Sequence, residues 1–152
     1  MRIVFQQGDL LKCVDEDAII VHACNCRGVW GSGFAKDLKP LYPEAFAEYK
    51  NACDTYGKKL LGTSFLAGQN IFCLFTSDGY GYELDGKKDI LKNTKLAIKD
   101  MMYSVSYYEL KKEIHSPKIN AGRFKIPWEE TEQIISDALD YRTDVNWVVW
   151  YL

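Results

Sequence analysis

A glycine-rich segment, Asn25-Cys26-Arg27-Gly28-Val29-Trp30-Gly31-Ser32-Gly33-Phe34-Ala35, carries the strongest chemical signal in the sequence. It follows an apolar run and precedes residues at helical spacing, which predicts a loop between a buried strand and a helix. Glycines let backbone N–H groups approach an oxyanion, and the start of a helix favours the same negative charge. The spacing is that of neither a dinucleotide fingerprint nor a P-loop. We expect an anion-binding loop through Trp30, Gly31, Ser32, Gly33 and Phe34, with a purely structural turn as the alternative.

A second glycine loop, Asn120-Ala121-Gly122-Arg123-Phe124-Lys125-Ile126-Pro127, also joins a predicted strand to a predicted helix. Two such loops at one edge of a sheet can lie side by side and surround a diphosphate with backbone donors. Phe124 offers an apolar face to a sugar or a base, whereas Arg123 and Lys125 offer positive charge. The alternative for Arg123 and Lys125 is an ordinary pair of solvated side chains.

Two side chains are candidates for proton transfer. His22 lies in the most apolar stretch of the chain, and the usual histidine pKa of about 6.5 suits general acid or base catalysis. Asp78 follows a predicted strand, on the side of an α/β sheet where site residues gather, and is the best-placed carboxylate. The alternatives are a hydrogen-bonded core histidine and a turn aspartate before Gly79.

A metal site has to be considered at the same strand. Alternation places His22, Cys24 and Cys26 on one side of it, and histidine with cysteine is a typical zinc ligand set. No fourth ligand is visible, and the chain enters a loop at Asn25, so thiols packed as small apolar groups are the preferred interpretation. We predict neither a metal nor another cofactor.

The elements that must position these residues alternate between strand and helix, which predicts an α/β fold. Strand patterns cover residues 2–6, 17–24, 63–67, 71–75, 114–119 and 147–152. Helical patterns begin near residue 34, at residue 43 (to about 56), after residue 85 and at residue 127. The run 17–24 is apolar almost throughout, as in a central strand buried on both faces. The third and fourth strands form a predicted hairpin, and helices are expected on both faces of a mixed sheet.

Length and composition narrow the classes of function. The 152 residues suit one domain, and 47% hydrophobic with 26% charged residues is ordinary globular usage. A net charge of −2 argues against binding nucleic acid or a membrane through positive charge spread over a large surface. Any phosphate must therefore be bound by a few residues at one site. Five scattered cysteines, no signal-peptide pattern and no apolar run of about 18–20 residues predict a cytoplasmic protein. We expect a monomer that forms no stable nucleic-acid complex.

The motifs together resemble the macrodomain family. Gly8-Asp9-Leu10 resembles the family's Gly-Asp-Ile/Leu signature, and Asp17-Ala18-Ile19-Ile20-Val21-His22-Ala23-Cys24-Asn25 resembles its Asp-Ala-Ile-Val-Asn-Ala-Ala-Asn strand. The two glycine loops follow in the family's order. The resemblance covers residues 1–152 as a single macrodomain and implies a three-layer α/β/α sandwich with a central mixed sheet.

The resemblance also implies roles for residues. Asp9, between Gly8 and Leu10, would accept from the adenine amino group, and Asn25 beside Cys24 would hold the distal ribose. The backbone of Gly31, Ser32, Gly33 and Phe34 and of Asn120, Ala121, Gly122, Arg123 and Phe124 would bind the diphosphate, and the Phe124 ring would pack on the distal ribose. Within the family the sequence is most similar to the small ADP-ribose 1''-phosphate phosphatases.

Departures from the family pattern bear on the reaction. His22 stands where many members that hydrolyse ADP-ribosyl esters have asparagine. Ser77 and Phe124 stand where another hydrolase branch has a lysine and an aspartate, and Lys125 replaces a common glycine. We expect hydrolysis of ADP-ribose 1''-phosphate to ADP-ribose and phosphate, with His22 and Asp78 as the catalytic candidates. The alternatives are an ADP-ribosyl hydrolase acting on protein or nucleic acid, and a non-catalytic ADP-ribose reader.

Overall fold

The computed structural model describes residues 3–152. Six strands form one sheet, and in chain order they are Ile3–Gln7 (β1), Ile19–Asn25 (β2), Ser64–Ala67 (β3), Ile71–Ser77 (β4), Glu113–Ser116 (β5) and Asn146–Tyr151 (β6). Five α-helices connect them: Leu10–Cys13 (α1), Gly33–Leu38 (α2), Pro43–Tyr56 (α3), Lys87–Tyr107 (α4) and Trp128–Asp140 (α5). Within these residues, no helix combines the length and the apolar character that a membrane crossing requires.

The sheet has the order β1-β6-β5-β2-β4-β3. Every neighbouring pair is parallel except β3 and β4, which form the predicted antiparallel hairpin. β2 therefore lies inside the sheet between β5 and β4, which confirms its prediction as a central strand. Its side chains alternate between two cores because both faces of the sheet are covered.

One core lies between the sheet and the helices α4 and α5, and the other between the sheet and the helices α1, α2 and α3. The buried face of α4 has helical spacing, with Ile90, Thr94, Ala97, Ile98, Met101 and Val105 all buried. The inner face of α5 is similar, since Ile135 and Leu139 are buried and Ile134 and Ala138 pack against the same core. The three-layer α/β/α sandwich is thus confirmed.

The boundaries differ from the sequence predictions where proline or a short element intervenes. β5 ends at Ser116 and not at Ile119, because Pro117 has no N–H to donate to a neighbouring strand. α5 begins at Trp128, with Pro127 as its N-cap residue. α1 was not expected, since four residues are too few to show helical periodicity. Arg2, the predicted first residue of β1, lies outside the described residues.

The connections leave the centre of the sheet in opposite directions. From β2 the chain passes through α2 and α3 on one face, whereas from β5 it passes through α5 on the other face. Parallel neighbours whose connections diverge in this way leave a crevice at their carboxyl ends, where ligands of α/β proteins bind. The fold therefore predicts a site beyond the ends of β2 and β5.

Candidate functional site

A cavity of about 750 Å³ lies at this crevice. The loop that follows β2 forms one wall, and the loop that follows β5 forms the other. The end of β2 lies at the bottom, where His22, Cys24 and Asn25 contribute to the lining. Both glycine loops predicted to bind an anion therefore border the same space.

Asn25 holds the first loop in shape. Its Oδ1 accepts hydrogen bonds from the Arg27 N–H (2.9 Å) and the Tyr49 hydroxyl (3.0 Å), and its Nδ2 donates to the Val29 carbonyl (2.8 Å). The Tyr49 hydroxyl also donates to the Asn25 carbonyl at 2.8 Å. At Gly28 the backbone has φ +75°, and a Cβ there would lie 3.2 Å from Lys50 Cγ. The loop is thus tied to α3 at its first residue.

Asn120 holds the second loop in a similar way. Its side chain is buried; Oδ1 accepts from the Thr76 hydroxyl at 3.0 Å, and Nδ2 donates to the Thr94 hydroxyl at 2.9 Å and to that of Thr131 at 3.4 Å. These threonines come from β4, α4 and α5. Asn120 also has φ +66°, a left-handed conformation that asparagine tolerates better than most residues.

The two loops approach each other directly, which confirms their predicted juxtaposition. A Cβ built on Gly33, where φ is +58°, would lie 3.9 Å from Arg123 Cγ on the opposite loop. The amides of Gly31 and Ser32 on one side, and of Gly122, Arg123 and Phe124 on the other, donate to no protein acceptor within residues 3–152. Two sets of N–H donors therefore border one cavity, as an anion site requires.

The charged side chains of the lining are all cationic. Lys118, Arg123 and Lys125 border the cavity, and no carboxylate does so among the residues that the structure describes. The lining is therefore positively charged, although the chain as a whole carries −2. The local field favours a ligand with several negative charges.

His22 is enclosed at the bottom of the cavity. Its ring lies edge-on to Trp30, with centroids 4.9 Å apart, and 5.8 Å from the ring of Phe34. Burial lowers the pKa of His22 to about 3, because the apolar surroundings disfavour the imidazolium. The low pKa favours the neutral imidazole, and a catalytic role of His22 stays a prediction.

Asp78 lies outside the lining of the cavity. Its carboxylate pairs with the Arg27 guanidinium at 3.4 Å, and its N–H donates to Asp85 Oδ2 at 2.8 Å. Arg27 also pairs with Glu83, so Asp78 belongs to a network that shapes the loop between β4 and α4. The structure thus places Asp78 in that loop and not at the cavity lining, where a catalytic base would have to lie.

The model of the Macro domain family matches residues 21–135, which include most of β2, both glycine loops and the first part of α5. The chain is a macrodomain. It is 39% identical to the ADP-ribose 1''-phosphate phosphatase of Debaryomyces hansenii, over 88% of this chain and 92% of that protein. It is 33% identical to the ADP-ribose 1''-phosphate phosphatase of Saccharomyces cerevisiae, over 99% of both chains.

A solved structure supports the same assignment. The macrodomain of Mycobacterium tuberculosis DarG superposes with a TM-score of 0.81 and 26% sequence identity, covering 99% of this chain and 97% of that one. The agreement extends over the whole sheet and its helices. The family and the fold predicted from the sequence motifs are therefore both confirmed.

Most of the residues predicted to bind substrate line the macrodomain cavity. They are Cys24, Asn25, Trp30, Gly31, Ser32, Gly33, Phe34, Asn120, Gly122, Arg123 and Phe124. Ala121 lies in the second loop but not on the lining. Gly8, Asp9 and Leu10 follow β1 at the same edge of the sheet and also lie off the lining. There Asp9 caps α1 by accepting from the Leu11 N–H at 3.1 Å, and Leu10 is buried.

The structure adds lining residues that the sequence did not single out. Tyr80 and Gly81 reach the cavity from the loop after β4, next to the predicted Asp78. Lys118 reaches it from the segment just after β5. The β4 loop could have been found from its position after a strand adjacent to β2, but only the sheet order shows that β4 is adjacent.

Three side chains of types that bind metals lie together at the bottom of the cavity. They differ in one residue from the set that the sequence suggested. The ligand atoms of His22, Cys24 and Cys73 all lie within 4.8 Å of one another. Cys73 comes from β4, directly opposite His22 in the register. Cys26, the third member considered from alternation, lies beyond a register shift between Cys24 and Asn25, so the two-residue period no longer applies to it.

The enclosure of His22 predicts acid sensitivity of the macrodomain. Its pKa is about 3 in the fold and about 6.5 when unfolded, so as the pH falls through 6.5 only the unfolded chain takes up a proton. Stability is lost across the window from pH 6.5 to 3. We expect the His22 contribution to lower the free energy of unfolding by about 2 kcal/mol between pH 7 and pH 5.

Urea unfolding at both pH values measures this effect. The control is a His22→Gln variant, which has no imidazole to titrate and should lose about 2 kcal/mol less than the wild type over the same interval. The difference between the two losses of unfolding free energy cancels the contribution of the carboxyl groups, which both proteins share. Equal losses in the two proteins would show that His22 is not held neutral.

Proposed function

We propose that this macrodomain hydrolyses ADP-ribose 1''-phosphate to ADP-ribose and inorganic phosphate. The observation that carries the proposal is the cavity itself, which combines two loops of N–H donors with three cationic side chains and has no acidic lining residue. A nucleotide with a diphosphate and a terminal phosphate matches this pattern of charge. The names of the two yeast relatives support the same substrate.

The adenosine end of the substrate is proposed to bind near the carboxyl end of β1. One oxygen of Asp9 accepts from the Leu11 N–H, which leaves the second carboxylate oxygen as an acceptor for the adenine amino group. Gly8 allows the turn at this point: it has φ +139°, and a Cβ there would lie 3.2 Å from the Trp150 ring. Gly8 and Leu10 thus position Asp9 in this proposal.

The diphosphate and the distal ribose are proposed to lie between the loops. The amides of Gly31 and Ser32 and of Gly122, Arg123 and Phe124 donate to phosphate oxygens. Asn25 Nδ2 has a second N–H besides the one that binds the Val29 carbonyl, and it donates to a ribose hydroxyl. Phe124 packs on the face of that ribose.

The reaction is proposed to use water as the nucleophile. Burial raises the pKa of the metal-free Cys24 thiol well above its usual value, so Cys24 is not the nucleophile in this proposal. The oxygen of water joins the phosphorus or C1'', one ester bond breaks, and the water protons are shared between the ribose hydroxyl and phosphate. Positioning of the substrate and the positive charge of the second loop then accelerate the hydrolysis. The neutral His22 orients the reacting groups and donates no proton.

The proposal is tested by incubating the purified protein with ADP-ribose 1''-phosphate and, separately, with an ADP-ribosylated protein. We expect phosphate and ADP-ribose in equal amounts from the first and no ADP-ribose from the second. A Gly33→Glu variant, which places a strained acidic side chain between the loops, is the control for contaminating phosphatases and should be inactive.

Release of ADP-ribose from the modified protein alone would instead identify an ADP-ribosyl hydrolase, and binding without turnover of either substrate would identify a reader. In ¹⁸O-labelled water, label in phosphate indicates P–O cleavage, whereas label in ADP-ribose indicates C–O cleavage. Each outcome is read by mass spectrometry.

The setting of the reaction forms part of the proposal. We infer a monomer in the cytoplasm that binds a free nucleotide and forms no stable nucleic-acid complex. The net charge of −2 supports the last point, because the three cations at the cavity are too few to follow a polymer backbone. Five free cysteines, four of them buried, support a reducing compartment.

A further inference from the structure

His22, Cys24 and Cys73 bring one nitrogen and two sulfur atoms together under the cavity. The three side chains are buried on the same face of the sheet, and their ligand atoms lie within 4.8 Å of one another. His22 Nε2 is 3.4 Å from Cys24 Sγ. Two neighbouring strands supply them, so their backbone positions are fixed by the ladder between β2 and β4.

These separations suit a small tetrahedral cation. With Zn–S of about 2.3 Å and Zn–N of about 2.0–2.1 Å, adjacent nitrogen and sulfur ligands lie roughly 3.5 Å apart and two sulfurs roughly 3.8 Å apart. The distance from His22 to Cys24 already agrees with that geometry. A separation at the 4.8 Å limit exceeds that of two zinc-bound sulfurs by only about 1 Å.

Polar atoms in the cluster have poor hydrogen-bond partners. Among the described residues, the His22 ring nitrogens have hydrogen-bond contacts only with the Cys24 sulfur, at 3.4 and 3.8 Å. The Trp30 indole N–H beside them is buried and has no acceptor among the described residues. Buried polar groups are nearly always well paired, so an unpaired N–H next to a weakly paired imidazole needs an explanation.

We propose that His22, Cys24 and Cys73 bind one thiophilic divalent cation of the Zn²⁺ type. The two thiols release their protons, and the cation with two thiolates and a neutral imidazole forms a site of zero net charge, as a buried position requires. Sulfur ligands select zinc and related soft ions over Mg²⁺. A metal-bound thiolate is also a better acceptor than a thiol for the Trp30 N–H.

In this proposal, the cation reaches the three ligands through the cavity. His22 and Cys24 line the cavity, whereas Cys73 lies behind them in β4. Cys53 offers a contrast in the same core: it is buried, but its thiol donates to the Asn25 carbonyl at 3.9 Å, and it is not a member of the cluster. Cys53 is therefore the control for a buried thiol that lies outside the cluster.

The test is titration of the reduced 152-residue protein with Cd²⁺, whose thiolate complexes absorb in the ultraviolet. A Cys13→Ser background removes the exposed thiol. We expect one Cd²⁺ per chain, two protons released, and the same result for Cys53→Ala. The variants Cys24→Ala and Cys73→Ala should lose the thiolate absorption. An unchanged signal in either of them, or its equal loss in Cys53→Ala, would overturn the proposal.

A second measurement needs no core substitution. Alkylation of the background protein, followed by peptide mass spectrometry, reports how fast each buried thiol reacts. Cd²⁺ should slow alkylation of Cys24 and Cys73 at least tenfold and leave Cys26 and Cys53 unchanged. Equal protection of all four thiols, or of none, would contradict the site. Neither measurement depends on the nucleotide reaction, so the two proposals stand or fall separately.

Discussion

Replacing Lys118, Arg123 and Lys125 with glutamine is expected to weaken binding of ADP-ribose 1''-phosphate roughly 100-fold. These are the cations of the cavity lining, and charge-assisted contacts from exposed side chains contribute about 1 kcal/mol each, or about 3 kcal/mol together. Calorimetry at fixed ionic strength measures the change. The loss should be greater for ADP-ribose 1''-phosphate than for ADP-ribose, because the additional phosphate carries additional charge.

Three exposed lysines on α4 supply the matched control. Replacing Lys92, Lys95 and Lys99 with glutamine changes the net charge equally, but at a helix surface away from the cavity lining. That variant should bind the nucleotide within about threefold of the wild type, since exposed charges at a distance are screened by salt. Similar losses in the two triple variants would show that overall charge, and not the cavity, governs binding.

Replacing Asn120 with alanine is expected to lower the free energy of unfolding by about 3 kcal/mol, because a buried hydrogen-bond network is broken and a left-handed backbone is left strained. The Thr76 hydroxyl loses its acceptor, and the Thr94 hydroxyl loses a donor. The second loop would no longer be held at its first residue. Urea unfolding measures the stability, and calorimetry measures the accompanying loss of ADP-ribose binding.

Two substitutions separate these causes. Asn51→Ala, at an exposed position of α3, should change the free energy of unfolding by less than about 0.5 kcal/mol. Asn120→Asp keeps an acceptor for Thr76 and tolerates φ +66°, so its loss should fall between those of the alanine variant and the wild type. An Asn120→Ala protein as stable as the Asn51→Ala control would refute the proposed anchor.

The sheet and its helices were predictable because their signals are local. The apolar run around Ile20 and Val21 identifies a central strand, and the periodic residues of α4 identify its buried face. The glycines and asparagines of the two loops likewise identify the walls of the site. Each of these patterns depends on neighbours within a few positions in the chain.

The features that the sequence left open depend on contacts between distant residues. A core position for His22 and a turn position for Asp78 were both alternatives at the level of sequence. In the structure Trp30 and Phe34 enclose His22, and Arg27 pairs with Asp78 in its loop. Cys73 joins His22 only because β4 lies next to β2. The spacing of residues in the sequence does not show which distant residues become neighbours. Those neighbours set the pKa of a side chain, so the pKa could not be predicted from the sequence.

The asparagine anchors imply that the binding loops belong to the cooperative unit of the fold. Asn25 is bonded to Tyr49 of α3, and Asn120 is bonded to threonines of β4, α4 and α5. Opening either loop at its asparagine therefore breaks buried hydrogen bonds to neighbouring elements, which raises the free energy that opening costs. A nucleotide then meets loops that are already ordered, and little of its binding free energy is lost to fixing the backbone.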